Sequence, residues 1–156
     1  MTNEHTIDKL LKERGLTLSV AESCTGGRLA SLFTAIPGCS QYFKGGVVSY
    51  ANEAKIHILG VNAADIAAHG AVSQPVVEQM ARGAQRIFVT DCAIATSGIA
   101  GPDGGTPDKP VGTVRIAAAC NDRLQSTVFH FEGERAENIV AACEAGMKML
   151  LELIAK

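Results

Sequence analysis

Three stretches of this sequence combine polar side chains and glycine in ways that can do chemistry. The first is Glu22-Ser23-Cys24-Thr25-Gly26-Gly27. It follows an apolar stretch and precedes residues with helical spacing, so Ser23 falls at a strand-to-helix turn. A hydroxyl placed there is presented to a ligand, and the N–H groups of the following helix can stabilise an oxyanion or bind a phosphate. Ser23 or Thr25 would serve equally as an ordinary helix cap. The second is Ser49-Tyr50-Ala51-Asn52-Glu53-Ala54-Lys55. With Asn52 as N-cap, Lys55 lies in the first helical turn. The positive end of the helix dipole and partial burial would both lower its pKa toward that of a general base. A solvated lysine beside Glu53 is the plain alternative, as is a sheet-packed aromatic for Tyr50. The third is the loop Ser97-Gly98-Ile99-Ala100-Gly101-Pro102-Asp103-Gly104-Gly105. Its glycines could turn successive N–H groups toward an anion, or simply form a long connection. Its spacing matches neither a dinucleotide-binding fingerprint nor a P-loop.

These segments need elements to hold them, and the apolar pattern supplies them. Residues 6–14 read as a helix capped by Thr6, with Ile7, Leu10 and Leu11 inward and Gly15 at its end. Residues 17–22 read as a strand, and Leu29, Leu32, Phe33 and Ile36 as one helix face stopped by Pro37-Gly38. A second strand spans 42–50, with Gly45-Gly46 inside it. Short helices follow Asn52 and cover 63–69. A longer helix runs from Ser73 to about Phe88, with Val76, Val77, Met80, Ala84 and Ile87 as its buried stripe. Residues 92–96 make a buried strand. Strands at 112–120 and 124–131 are close enough for a hairpin, and a final helix from about Glu134 buries Ile139, Cys143, Met147, Leu150 and Ile154. The expected fold is a three-layer α/β/α sandwich with a mixed β-sheet, in a single domain over residues 1–156.

Composition narrows the function classes. Hydrophobic residues make up 47% and charged residues 19%, the balance of a globular chain. A net charge of −2 with no basic stripe argues against a nucleic-acid or anionic-lipid partner. No apolar run approaches the ~20 residues that span a bilayer, and the first residues lack a signal-peptide core. The five cysteines form no CxxC pair, which fits a reduced, cytoplasmic protein. The four histidines are scattered and the chain shows no metal-ligand spacing, so neither a metal nor another cofactor is expected.

Taken together, the blocks carry a resemblance. Ala21-Glu22-Ser23-Cys24-Thr25-Gly26-Gly27, Tyr50-Ala51-Asn52-Glu53-Ala54-Lys55, His69-Gly70-Ala71-Val72-Ser73, Ser97 to Gly105 and Lys109-Pro110-Val111-Gly112-Thr113-Val114 resemble, in order, the CinA C-terminal domain family. The resemblance spans about residues 15–135. It implies an amidase that hydrolyses nicotinamide mononucleotide to nicotinic acid mononucleotide and ammonia in pyridine nucleotide salvage, acting as a homodimer without a metal. By motif, Ser23 matches the nucleophile, Lys55 its base and Tyr50 a partner in proton transfer. Thr25, Gly26, Gly27, Ser97, Gly98 and Gly101 match the part that holds substrate and oxyanion. Gly133-Glu134-Arg135 resembles the family's Gly-Asp-Arg, and Arg135 suits a bidentate anion contact. The second arginine that many members carry a turn later is replaced by Ile139 and Val140. A non-catalytic nucleotide-binding module and a cysteine amidase built on Cys24 are the rival readings, the latter weakened because no histidine stands near in sequence.

Overall fold

The computed structural model describes residues 1–155. Chain order is α1 (Asn3–Arg14), β1 (Leu18–Glu22), α2 (Arg28–Thr34), a 3₁₀ turn (Cys39–Gln41), β2 (Phe43–Val48), α3 (Asn52–His57), α4 (Ala63–His69), α5 (Gln74–Phe88), β3 (Cys92–Gly98), β4 (Thr113–Cys120), β5 (Arg123–His130) and α6 (Arg135–Ala155). The sheet order is β2-β1-β3-β4-β5. β1 is parallel to both β2 and β3, while β4 runs antiparallel to β3 and to β5. The expected mixed sheet between helical layers is therefore present.

Strand alternation sorts the side chains into two cores. Leu18, Val20, Ile94, Ile116 and Ala118 face α1, α2 and α6. There Phe33 of α2 stacks on Phe43 with ring centroids 5.9 Å apart. The opposite face of the sheet is almost entirely alanine: Ala21, Ala93, Ala95, Ala117 and Ala119. Small side chains let α5 sit close, with Val76, Val77, Met80 and Ala84 buried against them. Its packing also reaches the turn after α3, because a Cβ on Gly83 would lie 2.2 Å from the Leu59 carbonyl oxygen. That close approach fixes α3, and with it Lys55, against the rest of the molecule.

Several boundaries differ from the expectation. α1 starts three residues before Thr6, because Thr2 is the N-cap and accepts from the His5 N–H. Ala51, not Asn52, precedes α3, and no side chain caps that helix. Ile87 is 40% exposed instead of buried, since α5 turns it away from the alanine face near its end. Ser97 and Gly98 belong to β3, where register with Arg115 and Val114 extends the ladder past Thr96. The β4–β5 hairpin is tighter than the expected three-residue gap, with Asn121 at φ 56° in its turn.

Between β1 and β3 the chain changes sides: the connection to β2 carries α2 on one face, and the return to β3 carries α5 on the other. Such a reversal opens a crevice at the strand carboxyl ends. Ser23 follows β1, Ser49-Tyr50 follow β2 and Ile99–Gly101 follow β3, so all three sequence segments meet there. Gly83→Ala tests the placement of α3. It should lower folding stability by about 2 kcal/mol through overpacking against Leu59, read as the urea midpoint. An unchanged midpoint would show that α5 and α3 are not in this contact.

Candidate active site

Lys55 Nζ lies 3.0 Å from Ser23 Oγ. It also donates to the carbonyl of Ser49 at 2.8 Å and to that of Tyr50 at 3.4 Å. Lys55 is 1% exposed and Ser23 8%. No carboxylate among the described residues lies within ion-pair distance of the ammonium. Burial therefore pushes the Lys55 pKa below the ordinary lysine value, opposed weakly by the nearby Cys24 thiol. Burial, and not the helix dipole expected from sequence, is what lowers that pKa. α3 has six residues, and Lys55 itself makes its first regular bond, to Ala51. A neutral lysine has two N–H donors and one lone pair. Two carbonyls and one hydroxyl surround Nζ, so in the neutral form, with the carbonyls accepting both N–H groups, the lone pair would be directed at the Ser23 hydroxyl.

Glu22, which carried no flag in the sequence, organises the turn on the other side of Ser23. Its carboxylate has no exposure at all. Oε1 accepts from Thr25 Oγ1 at 2.6 Å, Leu29 N at 2.9 Å and Gly27 N at 3.2 Å; Oε2 accepts from Ala30 N at 3.0 Å. Thr25 Oγ1 also contacts Thr96 Oγ1 at 2.8 Å. The helix N–H groups that sequence reasoning assigned to a ligand are thus claimed by Glu22. Gly26 N–H bonds back to the Ser23 carbonyl. Within this turn, the N–H groups of Cys24 and Thr25 have no oxygen acceptor among the described residues.

The remaining sequence candidates scatter in role. The Tyr50 ring is 61% exposed, not packed on the sheet, and its hydroxyl accepts from Arg135 Nη2 at 3.1 Å. Arg135 Nη1 donates to the Gly101 carbonyl at 2.6 Å. Arg135 therefore ties the third segment to the second. It stands between a cleft of about 420 Å³, lined by Cys24, Thr25, Gly26, Arg28 and Tyr50, and a second of about 460 Å³ beside Gly101 and Val111. Ser97 lines neither of these clefts, and its hydroxyl donates to the Ala71 carbonyl at 2.9 Å, tying β3 to the 70–73 turn. Gly98 has β4 where a side chain would be, with Val114 Cγ2 2.6 Å from an added Cβ. Gly101 combines φ +93° with Val111 2.5 Å from such a Cβ, so its glycine serves the fold as well as the cleft. Asn138, also missed, is buried and bonds Ala100 and both backbone groups of Gly133, pinning the same loop to α6. Cys24 lines the cleft, but burial pushes its thiol up to about 11. No group of His, Cys, Asp and Glu among the described residues is arranged to hold a metal ion, and no helix among them is long and apolar enough to cross a membrane.

Fold and site define a three-layer α/β/α protein with a buried serine–lysine pair at the carboxyl ends of its parallel strands. The model of the CinA C-terminal domain family matches residues 1–154, and the chain belongs to that family. It is 51% identical over 137 residues to a Shewanella oneidensis protein named nicotinamide-nucleotide amidohydrolase PncC, covering 88% of this chain and 32% of that protein. It is 47% identical over 156 residues to a CinA-like protein of Chlorobaculum tepidum, covering 97% and 37%. The chain thus spans about a third of the length of these curated relatives. Among solved structures, the competence damage-inducible protein A of Klebsiella pneumoniae superposes with a TM-score of 0.95 at 35% identity, covering 98% of this chain and 95% of that one.

A thiol with a pKa near 11 is about 0.1% ionised at pH 8, so Cys24 should resist iodoacetamide there. Mass spectrometry after brief treatment should find Cys24 unmodified. Rapid, selective alkylation of Cys24 would mean an activated thiolate and revive a cysteine mechanism.

Proposed function

We propose that this protein is a nicotinamide-nucleotide amidase, converting nicotinamide mononucleotide and water to nicotinic acid mononucleotide and ammonia. The observation that carries the reading is the buried Ser23–Lys55 contact, with two carbonyls occupying the lysine's donors. The name of the Shewanella relative supplies the substrate.

In this reading Ser23 Oγ attacks the carboxamide carbon as neutral Lys55 takes its proton. The oxyanion of the tetrahedral intermediate lies against the Cys24 and Thr25 N–H groups. The intermediate collapses with loss of ammonia, which leaves with the proton held by Lys55. Water, deprotonated by Lys55, then cleaves the acyl-serine to the carboxylate and regenerates Ser23. Tyr50 is assigned the relay of a proton to the leaving group, beginning with release of its hydroxyl from Arg135. Arg135 and Arg28 supply positive charge along the cleft for the substrate's phosphate. A cytoplasmic homodimer serving pyridine nucleotide salvage, without a metal or other cofactor, completes the reading.

Ammonia release from nicotinamide mononucleotide tests it directly. Ser23→Ala should lower kcat by about 10³-fold or more without loss of fold. Lys55→Arg should be as inactive as Lys55→Ala, because a guanidinium does not give up its proton. A Ser23→Ala enzyme within tenfold of the parent would reduce Ser23 to a turn residue. No ammonia from the parent protein would favour a nucleotide-binding module instead. For the active enzyme, kcat/KM should rise with pH through an apparent pKa below the ordinary lysine value, since only neutral Lys55 accepts the proton. An acid limb at the ordinary lysine value would contradict the assignment.

A further inference from the structure

Glu22 bonds to the segments on both sides of the serine–lysine pair, the turn after Ser23 and Ser49, without being a member of it. Its side chain gathers four donors, one hydroxyl and three backbone N–H groups, all from residues 25–30. Those bonds fix the start of α2 and hence the turn that carries Ser23. Its backbone carbonyl does the corresponding work on the other strand. The Ser49 N–H donates to it at 2.7 Å and Ser49 Oγ at 3.3 Å. Ser49 in turn presents the carbonyl that orients Lys55 at 2.8 Å.

A fully buried carboxylate is costly unless its oxygens are well supplied with donors. Here the supply comes wholly from α2 and its approach, and none comes from Lys55. The charge is therefore spent on backbone geometry, not on holding Lys55 as an ammonium. The same bonds consume the donors of Gly27, Leu29 and Ala30, which leaves Cys24 and Thr25 as the turn's N–H groups without an oxygen acceptor among the described residues.

We infer that Glu22 is the positioning residue of this site: its carboxylate locks the 23–27 turn so that Ser23 Oγ stays on Lys55 and the Cys24 and Thr25 N–H groups face the reacting carbonyl. The inference rests on the serine–lysine reading above. Because the side chain acts on the Ser23 half alone, replacing it should loosen the nucleophile while leaving the proton affinity of Lys55 as it was. Glutamine keeps the shape and one acceptor oxygen, but turns an N–H₂ toward the Ala30 N–H. Alanine removes every acceptor.

The test compares Glu22→Gln, Glu22→Ala and Thr25→Val, the last removing the 2.6 Å donor from the other side. Folding is checked by circular dichroism and assays run well below each Tm. Two readouts are used: kinetics on nicotinamide mononucleotide, and the rate at which an alkyl fluorophosphonate labels Ser23, which does not depend on the natural substrate. Glu22→Gln should lower kcat and labelling by ~10-fold and Glu22→Ala by ~100-fold, as expected when donors and nucleophile drift from alignment. Thr25→Val should fall in the same direction as Glu22→Gln, and it carries the test if the Glu22 variants do not fold. KM should stay within about twofold, and the acid limb of kcat/KM should not move. A folded Glu22→Gln or Thr25→Val protein with parental kcat and labelling overturns the proposal and leaves Glu22 a stabilising group only. An acid limb that moves to lower pH in Glu22→Gln also overturns it, since Glu22 would then be the counter-ion of Lys55. If the parent labels at Ser23 but does not hydrolyse the nucleotide, the substrate reading fails while the labelling series still decides the role of Glu22. If the parent hydrolyses the nucleotide without labelling, the kinetic series decides alone; if it does neither, both readings fall.

Discussion

The burial of Lys55 without a carboxylate is the constraint on which the rest of the site depends. Removing an unpaired ammonium from water costs several kcal/mol even after relaxation, so burial shifts Lys55 toward its neutral form and lowers its pKa. The surroundings are built to match. The Ser49 and Tyr50 carbonyls accept the two N–H groups, and the third direction is left to Ser23. An acid placed there would have favoured the charged form of the lysine and opposed that shift. The one buried acid nearby, Glu22, is instead saturated by the start of α2.

That division of labour is a property of the fold. β1 lies between β2 and β3, with α2 on one face and α5 on the other, so consecutive crossovers leave a crevice at its end. The alanine face under α5 brings that helix close, and Gly83 lets it press on the turn after α3. α3 is thereby held against α5 through Leu59, while the Ser49 and Tyr50 carbonyls hold the Lys55 amine. Across the cleft, Arg135 and Asn138 at the start of α6 anchor the loop after β3, so the walls are cross-linked by hydrogen bonds.

Much of this was legible in the sequence. Periodic apolar residues marked α5 and α6 and a short gap marked the hairpin, while Ser23 and Lys55 stood as candidates beside plainer readings until the family resemblance implied their roles. Tertiary effects account for what differed. α3 is too short for the dipole argument made for Lys55, whose lowered pKa comes from burial that no local pattern announces. Ser97 resembled a ligand-facing residue because it sits at a strand end, but strand alternation turns its hydroxyl to Ala71. Glu22 was invisible for a different reason. Its donors lie three to eight residues ahead and converge only once the turn and helix have formed. A carboxylate at a strand end, just before a helix that begins with glycine and no capping side chain, is the signal that was available.

The central claim is that Lys55 is held below its ordinary pKa by burial and is ready to take the Ser23 proton. NMR titration of the Lys55 side chain, with ¹³Cε-labelled lysine and Lys55→Met for assignment, measures that property without reference to any substrate. One lysine Cε resonance, missing in Lys55→Met, should titrate clearly below the other lysines. If the Lys55 resonance titrates together with the surface lysines near 10.4, the lysine is an ammonium at working pH and the serine–lysine mechanism is wrong.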